Sequence, residues 1–203
     1  MKISGLQPVT ASDFPGRLAA IVFTQGCNFR CPFCHNGSLL AMDSESLIDL
    51  DAIFTFLHKR KKLLDGLVIS GGEPCLQPDL ARFCYHVKEM GYEVKLDTNG
   101  SRPKVVRALL AEKLVDFIAM DIKAPLHRLE DLTGTSLYEP QIRESISLIA
   151  KSGVEHMFRT TDVTPLLSSQ DHENIKDLVP QGSCHVVQPF VPENALAPSL
   201  RTM

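Results

Sequence analysis

The chain has 203 residues, 44% hydrophobic and 22% charged, which is the balance of a folded globular protein with one core. Its net charge is −3 and its lysines and arginines form no long stripe, so nothing points to a nucleic-acid partner. The sequence has no run of about 18 apolar residues and no apolar signal-peptide core at its N-terminus, so we expect a cytoplasmic protein that does not enter a membrane.

Short apolar runs alternate with longer segments of helical periodicity along the whole chain. The apolar runs predict six strands, at 19–24, 66–70, 93–97, 117–121, 155–160 and 185–188. The periodic segments predict helices at 47–62, 78–90, 103–112, 140–151 and 170–178. Prolines at 78, 103 and 140 suit the first turns of three of these helices. Repeated strand–helix units of this kind pair their strands in parallel through right-handed crossovers.

Two architectures fit this alternation, an open doubly wound sheet and an incomplete barrel. Polar residues recur directly after every predicted strand. A barrel gathers its chemistry there because the loops after all its strands meet at one mouth, whereas an open sheet concentrates its site at one switch point. We therefore predict an α/β fold, a partial (β/α)6 TIM-like barrel with parallel strands. The chain, 1–203, is expected to form one domain with a core at about 17–190 and a loose tail at 192–203.

Three of the six cysteines lie within eight positions, in a segment that directly follows the first predicted strand; residues 26–36 are called the cysteine loop below. The spacing of Cys27, Cys31 and Cys34 is C-x3-C-x2-C. A tetrahedral zinc site could use these thiolates with His35, although four ligands within nine residues would be cramped. Residues 31–35 also read C-x-x-C-H, a covalent haem motif that belongs to exported proteins.

An iron–sulfur cluster is the third interpretation, and the loop favours it without excluding the other two. Such clusters usually take four thiolates, and this loop offers three. One iron would then be coordinatively open, as in a catalytic metal site that keeps a position for its substrate. The other cysteines are scattered: Cys84 and Cys184 are predicted to be small buried hydrophobic residues, and Cys75 to be structural.

Two further features point to a ligand site. Gly71 and Gly72 lack Cβ atoms, so the main chain can approach a ligand closely, although a plain strand-to-helix turn would use glycines as well. Arg159 ends an apolar strand, where an unpaired buried charge would be costly. It therefore needs a partner, either a ligand carboxylate or an acidic residue such as Asp121.

The cysteine motif, followed by Gly-Gly-Glu-Pro at 71–74, resembles the radical S-adenosylmethionine (SAM) superfamily. The likeness is closest to its small activases of glycyl radical enzymes. Asp-Phe-Pro-Gly at 13–16, Phe-Thr-Gln-Gly-Cys at 23–27 and Cys-His-Asn at 34–36 look like the activating protein of anaerobic ribonucleoside-triphosphate reductase. The resemblance covers about residues 1–190. It implies that Cys27, Cys31 and Cys34 hold one [4Fe–4S] cluster and that SAM chelates the fourth iron.

The resemblance also implies roles for the residues that follow each strand. The turn at 71–73 would bind the methionine amino group, and Lys123 would meet the methionine carboxylate as a point charge. Asp97 or Asn99 would bond the ribose or hold the neighbouring lysine, and Phe33 would pack beside the adenine. The implied cofactor-binding residues are Phe33, Cys34, His35, Gly71, Gly72, Glu73, Asp97, Asn99, Asp121, Lys123 and Arg159.

The chain departs from the family pattern in two places. Many activases carry a histidine shortly after the last strand, but here the stretch is Gln-Pro-Phe-Val at 188–191, which leaves a cofactor contact of Gln188 open. There are also no further cysteines between positions 36 and 66, where some activases have a ferredoxin-like insert.

The function that the resemblance implies is radical generation on a partner protein. A reduced cluster would donate an electron to the SAM sulfonium, giving methionine and a 5′-deoxyadenosyl radical that abstracts hydrogen from a glycine of a glycyl radical enzyme. A low-potential donor such as flavodoxin or ferredoxin would supply the electron. The alternatives are a radical SAM enzyme that acts on a small molecule or peptide, and a non-catalytic zinc-binding module.

Overall fold

The computed structural model describes residues 1–44, 46–164 and 166–202. In these residues the strands are β1 (Ile3–Thr10), β2 (Ala19–Thr24), β3 (Gly66–Gly71), β4 (Glu93–Thr98), β5 (Phe117–Asp121), β6 (Glu155–Asp162) and β7 (Cys184–Pro189). The helices are α1 (Leu50–Arg60), α2 (Leu80–Glu89), α3 (Pro103–Ala111), α4 (Leu129–Thr133), α5 (Glu139–Ala150) and α6 (Ser169–Lys176). None of these helices is both long and apolar enough to cross a bilayer.

One sheet contains all seven strands in the order of the chain, β1 to β7. Strands β2 to β7 pair in parallel, which confirms the six predicted strands and their parallel arrangement. In the described residues β1 and β7 occupy the two ends of the sheet and do not pair with each other. The barrel is therefore open along one side, as a partial barrel requires.

Strand β1 was not predicted, and it pairs with β2 antiparallel. Gly5 and Pro8 interrupt its sequence, and both residue types weaken a strand pattern. Its register with β2 is also irregular, with shifts on both sides of the segment 5–7. The sheet consequently begins at Ile3, earlier than the core at 17–190 that the sequence predicts.

The sheet separates two apolar regions. A large core fills the space between the sheet and the helices and includes Val22, Ile69 and Ile118. A smaller cluster consists of Phe14, from the segment between β1 and β2, and of strand residues on the other face, Ala19, Ile21, Val68, Phe117 and Ala119. Because successive side chains of a strand point to opposite faces, this small cluster lies on the concave face of the barrel. It fills the amino-terminal end of the barrel and leaves the carboxyl ends of the strands for polar residues.

Three smaller predictions are wrong. Pro78 precedes the cap of α2 and is not in its first turn, whereas the prolines at 103 and 140 do lie in first turns. Cys184 is exposed, while Cys84 is fully buried as predicted. The tail is not loose, because Ala195 and Leu200 are only 0% and 4% exposed.

Candidate cluster and cofactor site

The carboxyl ends of the parallel strands surround a cavity of about 350 Å³. Residues two apart in a strand share a face, so the concave face that carries the small apolar cluster also presents polar side chains above it. Every predicted site residue except Glu73 lines this cavity. The predicted residues that do so are Cys27, Cys31, Phe33, Cys34, His35, Gly71, Gly72, Asp97, Asn99, Asp121, Lys123 and Arg159.

The cysteine loop leaves β2 at the rim of this cavity. Cys27 and Cys31 are buried and Cys34 is half-buried. Burial raises the pKa of Cys27 to about 11 and that of Cys31 to about 12. Both are therefore thiols in the protein alone, and metal binding would have to displace their protons.

The donor set fits an iron–sulfur cluster. Such clusters are held by cysteine thiolates, and the three thiols of the cysteine loop would have to face one cavity to share a cluster. Cys27, Cys31 and Cys34 do so.

Gly71 and Gly72 are needed for contacts within the protein itself. Gly71 has a φ of +116°, and a Cβ there would lie 2.3 Å from the backbone nitrogen of Thr24. A Cβ on Gly72 would lie 2.1 Å from the carbonyl oxygen of Gly26. The glycine turn therefore packs directly against the start of the cysteine loop. The close approach that the sequence predicts is to the protein's own backbone, on the rim of the cavity.

Glu73 lies behind the cavity wall, only 1% exposed. Its carboxylate accepts hydrogen bonds from the backbone N–H groups of Cys75 and Asn99, at 2.9 and 2.7 Å, and from the Thr98 hydroxyl at 2.8 Å. Burial raises the pKa of Glu73, and these three bonds oppose that shift. In this structure Glu73 joins the end of β3 to the end of β4.

A network that the sequence did not reveal extends from there to the cysteine loop. The Asn99 side chain donates to the Asn28 side-chain oxygen at 3.0 Å, and Asn28 donates to the Ser101 hydroxyl at 2.9 Å. The backbone N–H of Ser101 donates back to the Asn99 side chain at 2.9 Å. Asn28 was missed because an asparagine between two loop cysteines carries no periodic or spacing signal. Its position next to Cys27 was the available clue.

An ion network forms the opposite wall of the cavity. Arg159 contacts Asp121 at 2.9 Å and Asp97 at 3.4 Å, and Lys123 contacts Asp121 at 3.0 Å. Lys95, 1% exposed, pairs with Asp97. The sequence predicts either a ligand carboxylate or an acidic residue such as Asp121 as the partner of Arg159, and in the structure Arg159 pairs with Asp121.

The charges of this network stabilise one another. Burial acts to raise the pKa of Asp121, but Arg159 and Lys123 outweigh it and lower that pKa to about 2. Burial lowers the pKa of Lys123, and the attraction of Asp121 more than compensates, so the net shift is upward. The network as a whole contains three basic side chains, Lys95, Lys123 and Arg159, and two acidic ones, Asp97 and Asp121.

The aromatic and thiol residues near the site differ in their access to the cavity. Phe33 is 3% exposed and lines the cavity. His35 is exposed and its ring stacks on Phe190 with centroids 5.6 Å apart. Gln188 also reaches the cavity. Cys75 is buried beside Thr98, with its Sγ 3.6 Å from the hydroxyl oxygen and outside the cavity lining, as expected for a structural residue.

Comparison with protein families identifies the arrangement. The model of the "Radical SAM superfamily" matches residues 21–179, which contain the cysteine loop and the strands from β3 to β6. The chain belongs to the radical SAM superfamily. The resemblance to this superfamily, which the cysteine and glycine motifs indicated, is thus confirmed.

Curated relatives show to which type of enzyme within the superfamily this radical SAM protein belongs. It is 32% identical over 204 residues to a candidate glycyl-radical enzyme activating enzyme of Methanocaldococcus jannaschii, covering 95% of this chain and 81% of that one. It is 31% identical to the pyruvate formate-lyase-activating enzyme of Clostridium pasteurianum over 60% of this chain, spanning about half (52%) of that protein. The protein is thus an enzyme of the glycyl-radical enzyme activating type.

Solved structures agree on the fold. Streptococcus suis SuiB bound to its precursor peptide SuiA matches with a TM-score of 0.68 at 15% identity, over 84% of this chain and 38% of that one. The AdoMet-bound structure of anSMEcpe matches with a TM-score of 0.60 at 14% identity, over 82% of this chain and 49% of that one. This radical SAM chain is shorter than both structures and corresponds to the barrel they share.

Proposed function

We propose that this radical SAM enzyme cleaves SAM reductively at one [4Fe–4S] cluster and generates a glycyl radical on a partner, anaerobic ribonucleoside-triphosphate reductase. The observation that carries the proposal is that three thiols and two cations of the ion network, Lys123 and Arg159, face one cavity at the carboxyl ends of the strands. When bound, the cluster and SAM would supply the electron and the 5′-deoxyadenosyl radical that takes the glycine hydrogen.

The cysteines are proposed to hold the cluster with three thiolates, Cys27, Cys31 and Cys34. Burial has the larger effect on the pKa of Cys27 and Cys31 and raises it. The ammonium of Lys123 acts in the opposite direction and lowers the pKa of both, because it attracts the negative charge of a thiolate. The same cation would therefore favour the deprotonated ligands that a cluster needs.

The ion network is proposed to bind the methionine carboxylate of SAM. It has three basic and two acidic side chains, and Lys123 and Arg159 both pair with the carboxylate of Asp121. The carboxylate of Asp13, which also lines the cavity, is bonded by the hydroxyls of Thr10 and Ser12. Lys123 and Arg159 are the groups that a ligand carboxylate would meet. Phe33, on the same cavity, offers the apolar surface proposed for the adenine.

The open side of the barrel supports a protein substrate. In the described residues β1 and β7 do not pair, so the wall between them is missing. A loop of a folded partner could enter there and reach the carboxyl ends of the strands.

We further propose that flavodoxin or ferredoxin supplies the electron and that the enzyme works in the cytoplasm. All six cysteines are free in the structure, which suits a reducing compartment.

The test is anaerobic reconstitution with iron and sulfide, followed by dithionite and SAM, with 5′-deoxyadenosine measured with and without the reductase. The parent protein should form it, and electron spin resonance should detect a glycyl radical on the reductase. Cys31→Ala should form none. Cys184→Ala, at an exposed cysteine outside the cavity, is the matched control and should retain full activity.

The outcomes separate the parts of the proposal. Turnover by Cys31→Ala would reject the ligand assignment. Formation of 5′-deoxyadenosine with no glycyl radical on the reductase would keep the chemistry and reject this partner, favouring a different protein or a small-molecule substrate. Zinc without iron or sulfide in anaerobically purified protein would support the zinc-binding alternative.

A further inference from the structure

The C-terminal segment of the described chain folds back onto the cysteine loop. Residues 190–201 are called the C-terminal strap here. Ala195 is fully buried and Leu200 is 4% exposed, and both belong to the large core. The guanidinium of Arg201 donates to the Ala195 carbonyl at 2.6 Å, which closes the strap on itself. The strap therefore has a fixed shape and a fixed place in the molecule.

The strap touches the outer half of the cysteine loop, residues 32–36, at two points, and the residue after the loop at a third. The backbone N–H of Ala197 donates to the Pro32 carbonyl at 2.8 Å. The Phe190 ring stacks on His35 with an angle of 19° between the planes. Leu196 packs on Gly37, the residue that follows the loop, so closely that a Cβ on Gly37 would lie 2.9 Å from the leucine Cδ1.

The outer half has anchors other than the strap. Within the loop the Cys34 N–H donates to the Cys31 carbonyl at 3.1 Å, and the Asn36 side chain donates to the Gly71 carbonyl at 3.3 Å. The Phe33 side chain is buried in the large core. Cys34, the proposed ligand that this half carries, is the most exposed of the three cysteines in the cavity. The strap adds its contacts to these, on the residues to either side of Cys34.

We infer that the C-terminal strap is a positioning element for the cysteine loop, which holds residues 32–36 in place. The part of this inference that concerns a cluster depends on the proposed function. The part that concerns the loop does not, because the contacts exist in the protein alone. Local opening of a segment is set by the contacts that must break, so loss of a strap contact should open the outer half preferentially.

The test compares Leu196→Ala with Leu137→Ala, a matched substitution at a leucine that is 77% exposed and outside the strap. Hydrogen–deuterium exchange is followed by mass spectrometry in peptides covering the loop and in peptides covering the sheet. Leu196→Ala should speed exchange of the loop peptide about fivefold, with the sheet peptides unchanged. Leu137→Ala should change neither, and Leu196→Met, which keeps the volume, should restore protection.

A second measurement uses the reconstituted protein. The visible absorbance of the cluster is followed after exposure to air, and Leu196→Ala should lose it several-fold faster than the parent and the Leu137→Ala control. Its electron spin resonance spectrum in the reduced state should also change, since the geometry at Cys34 would be less fixed.

Each result bears on the inference. Unchanged loop protection in Leu196→Ala would overturn it. Equal acceleration in the loop and sheet peptides would overturn it too, since the strap would then stabilise only the whole fold. If no variant, including the parent, takes up iron and sulfide, the proposed function fails, while the exchange data still decide whether the strap holds the loop.

Discussion

The inner half of the cysteine loop, residues 27–30, and its outer half, residues 32–36, are attached to the barrel by different kinds of contact. The inner half is held by hydrogen bonds to other elements of the barrel. The part-buried Asn28 side chain bonds Asn99 and Ser101, which are themselves buried, and the Arg30 N–H donates to the Thr133 carbonyl at 2.8 Å. The outer half buries Phe33 in the core and is contacted by the C-terminal strap, through one backbone bond and an aromatic stack.

This difference predicts that the two halves respond differently to substitution. A buried polar group that loses its partner keeps its full desolvation penalty, whereas a partly exposed contact can be replaced by water. Changes behind the inner half should therefore destabilise the whole protein. Changes at the strap should act locally and leave the free energy of unfolding almost unaltered.

The largest effect is expected at Glu73, which anchors the inner network. Glu73→Ala would leave two backbone N–H groups and the Thr98 hydroxyl buried without their acceptor. We expect the free energy of unfolding to fall by about 3 kcal/mol, measured by urea denaturation. Glu112→Ala, at an exposed glutamate after α3, should change it by less than about 0.5 kcal/mol. A small loss for Glu73→Ala would show that the network does not support the fold.

The next comparison sets one asparagine of the loop against another. Asn28→Ala removes two hydrogen bonds of the inner half and should lower the free energy of unfolding by about 2 kcal/mol. Asn36→Ala removes one bond of the outer half, at 3.3 Å, and should lower it by about 0.5 kcal/mol. Denaturation of both variants under one condition measures the difference. The reverse order would contradict the distinction between the two halves.

A substitution at Lys123 in the ion network should change the affinity for SAM more than the free energy of unfolding. Lys123→Met removes one positive charge but leaves Asp121 paired with Arg159. We expect the dissociation constant for SAM to rise about tenfold, equivalent to about 1.4 kcal/mol, in titrations of the reconstituted protein. Lys104→Met, at an exposed lysine of α3, is the control and should bind SAM like the parent. An unchanged affinity for Lys123→Met would remove Lys123 from the binding site.

The smallest effect is expected at Phe190. Phe190→Leu loses the stack on His35 and should lower the free energy of unfolding by only about 0.5 kcal/mol, while hydrogen exchange of the outer half becomes faster. Phe56→Leu, at a half-buried phenylalanine of α1, should leave exchange of the loop unchanged. Acceleration of loop exchange in both variants would argue against a specific role of the strap.

The parts of the molecule that the sequence predicted share a simple physical origin. Buried parallel strands are apolar over their whole length, so the six parallel strands were found with ends correct to within two residues. The site residues were implied by the resemblance to the radical SAM superfamily, and all but Glu73 line one cavity, because the strand ends of a barrel converge. Within the family, the reductase as partner stays a prediction.

The parts that were missed depend on contacts between distant segments. Strand β1 contains Gly5 and Pro8, and its pairing with β2 decides its conformation more than its composition does. The role of Glu73 follows from Thr98 and Asn99, donors 25 and 26 positions away along the chain, which the motif itself does not reveal. The exposure of Cys184 likewise follows from its place at the edge of the sheet.

By itself, the sequence determined the chemistry available at the mouth of the barrel: the three cysteines, the glycine turn and the charged residues at the strand ends. It could do so because periodicity and spacing along the chain fix which residues reach the same end of a parallel sheet. Only the tertiary structure decided that the hydrogen bonds of Glu73 and Asn28 support the inner half of the loop. The same holds for the contacts of residues 190–201 with its outer half. Those contacts join residues up to about 160 positions apart, and the packing that selects them leaves no pattern in the local sequence.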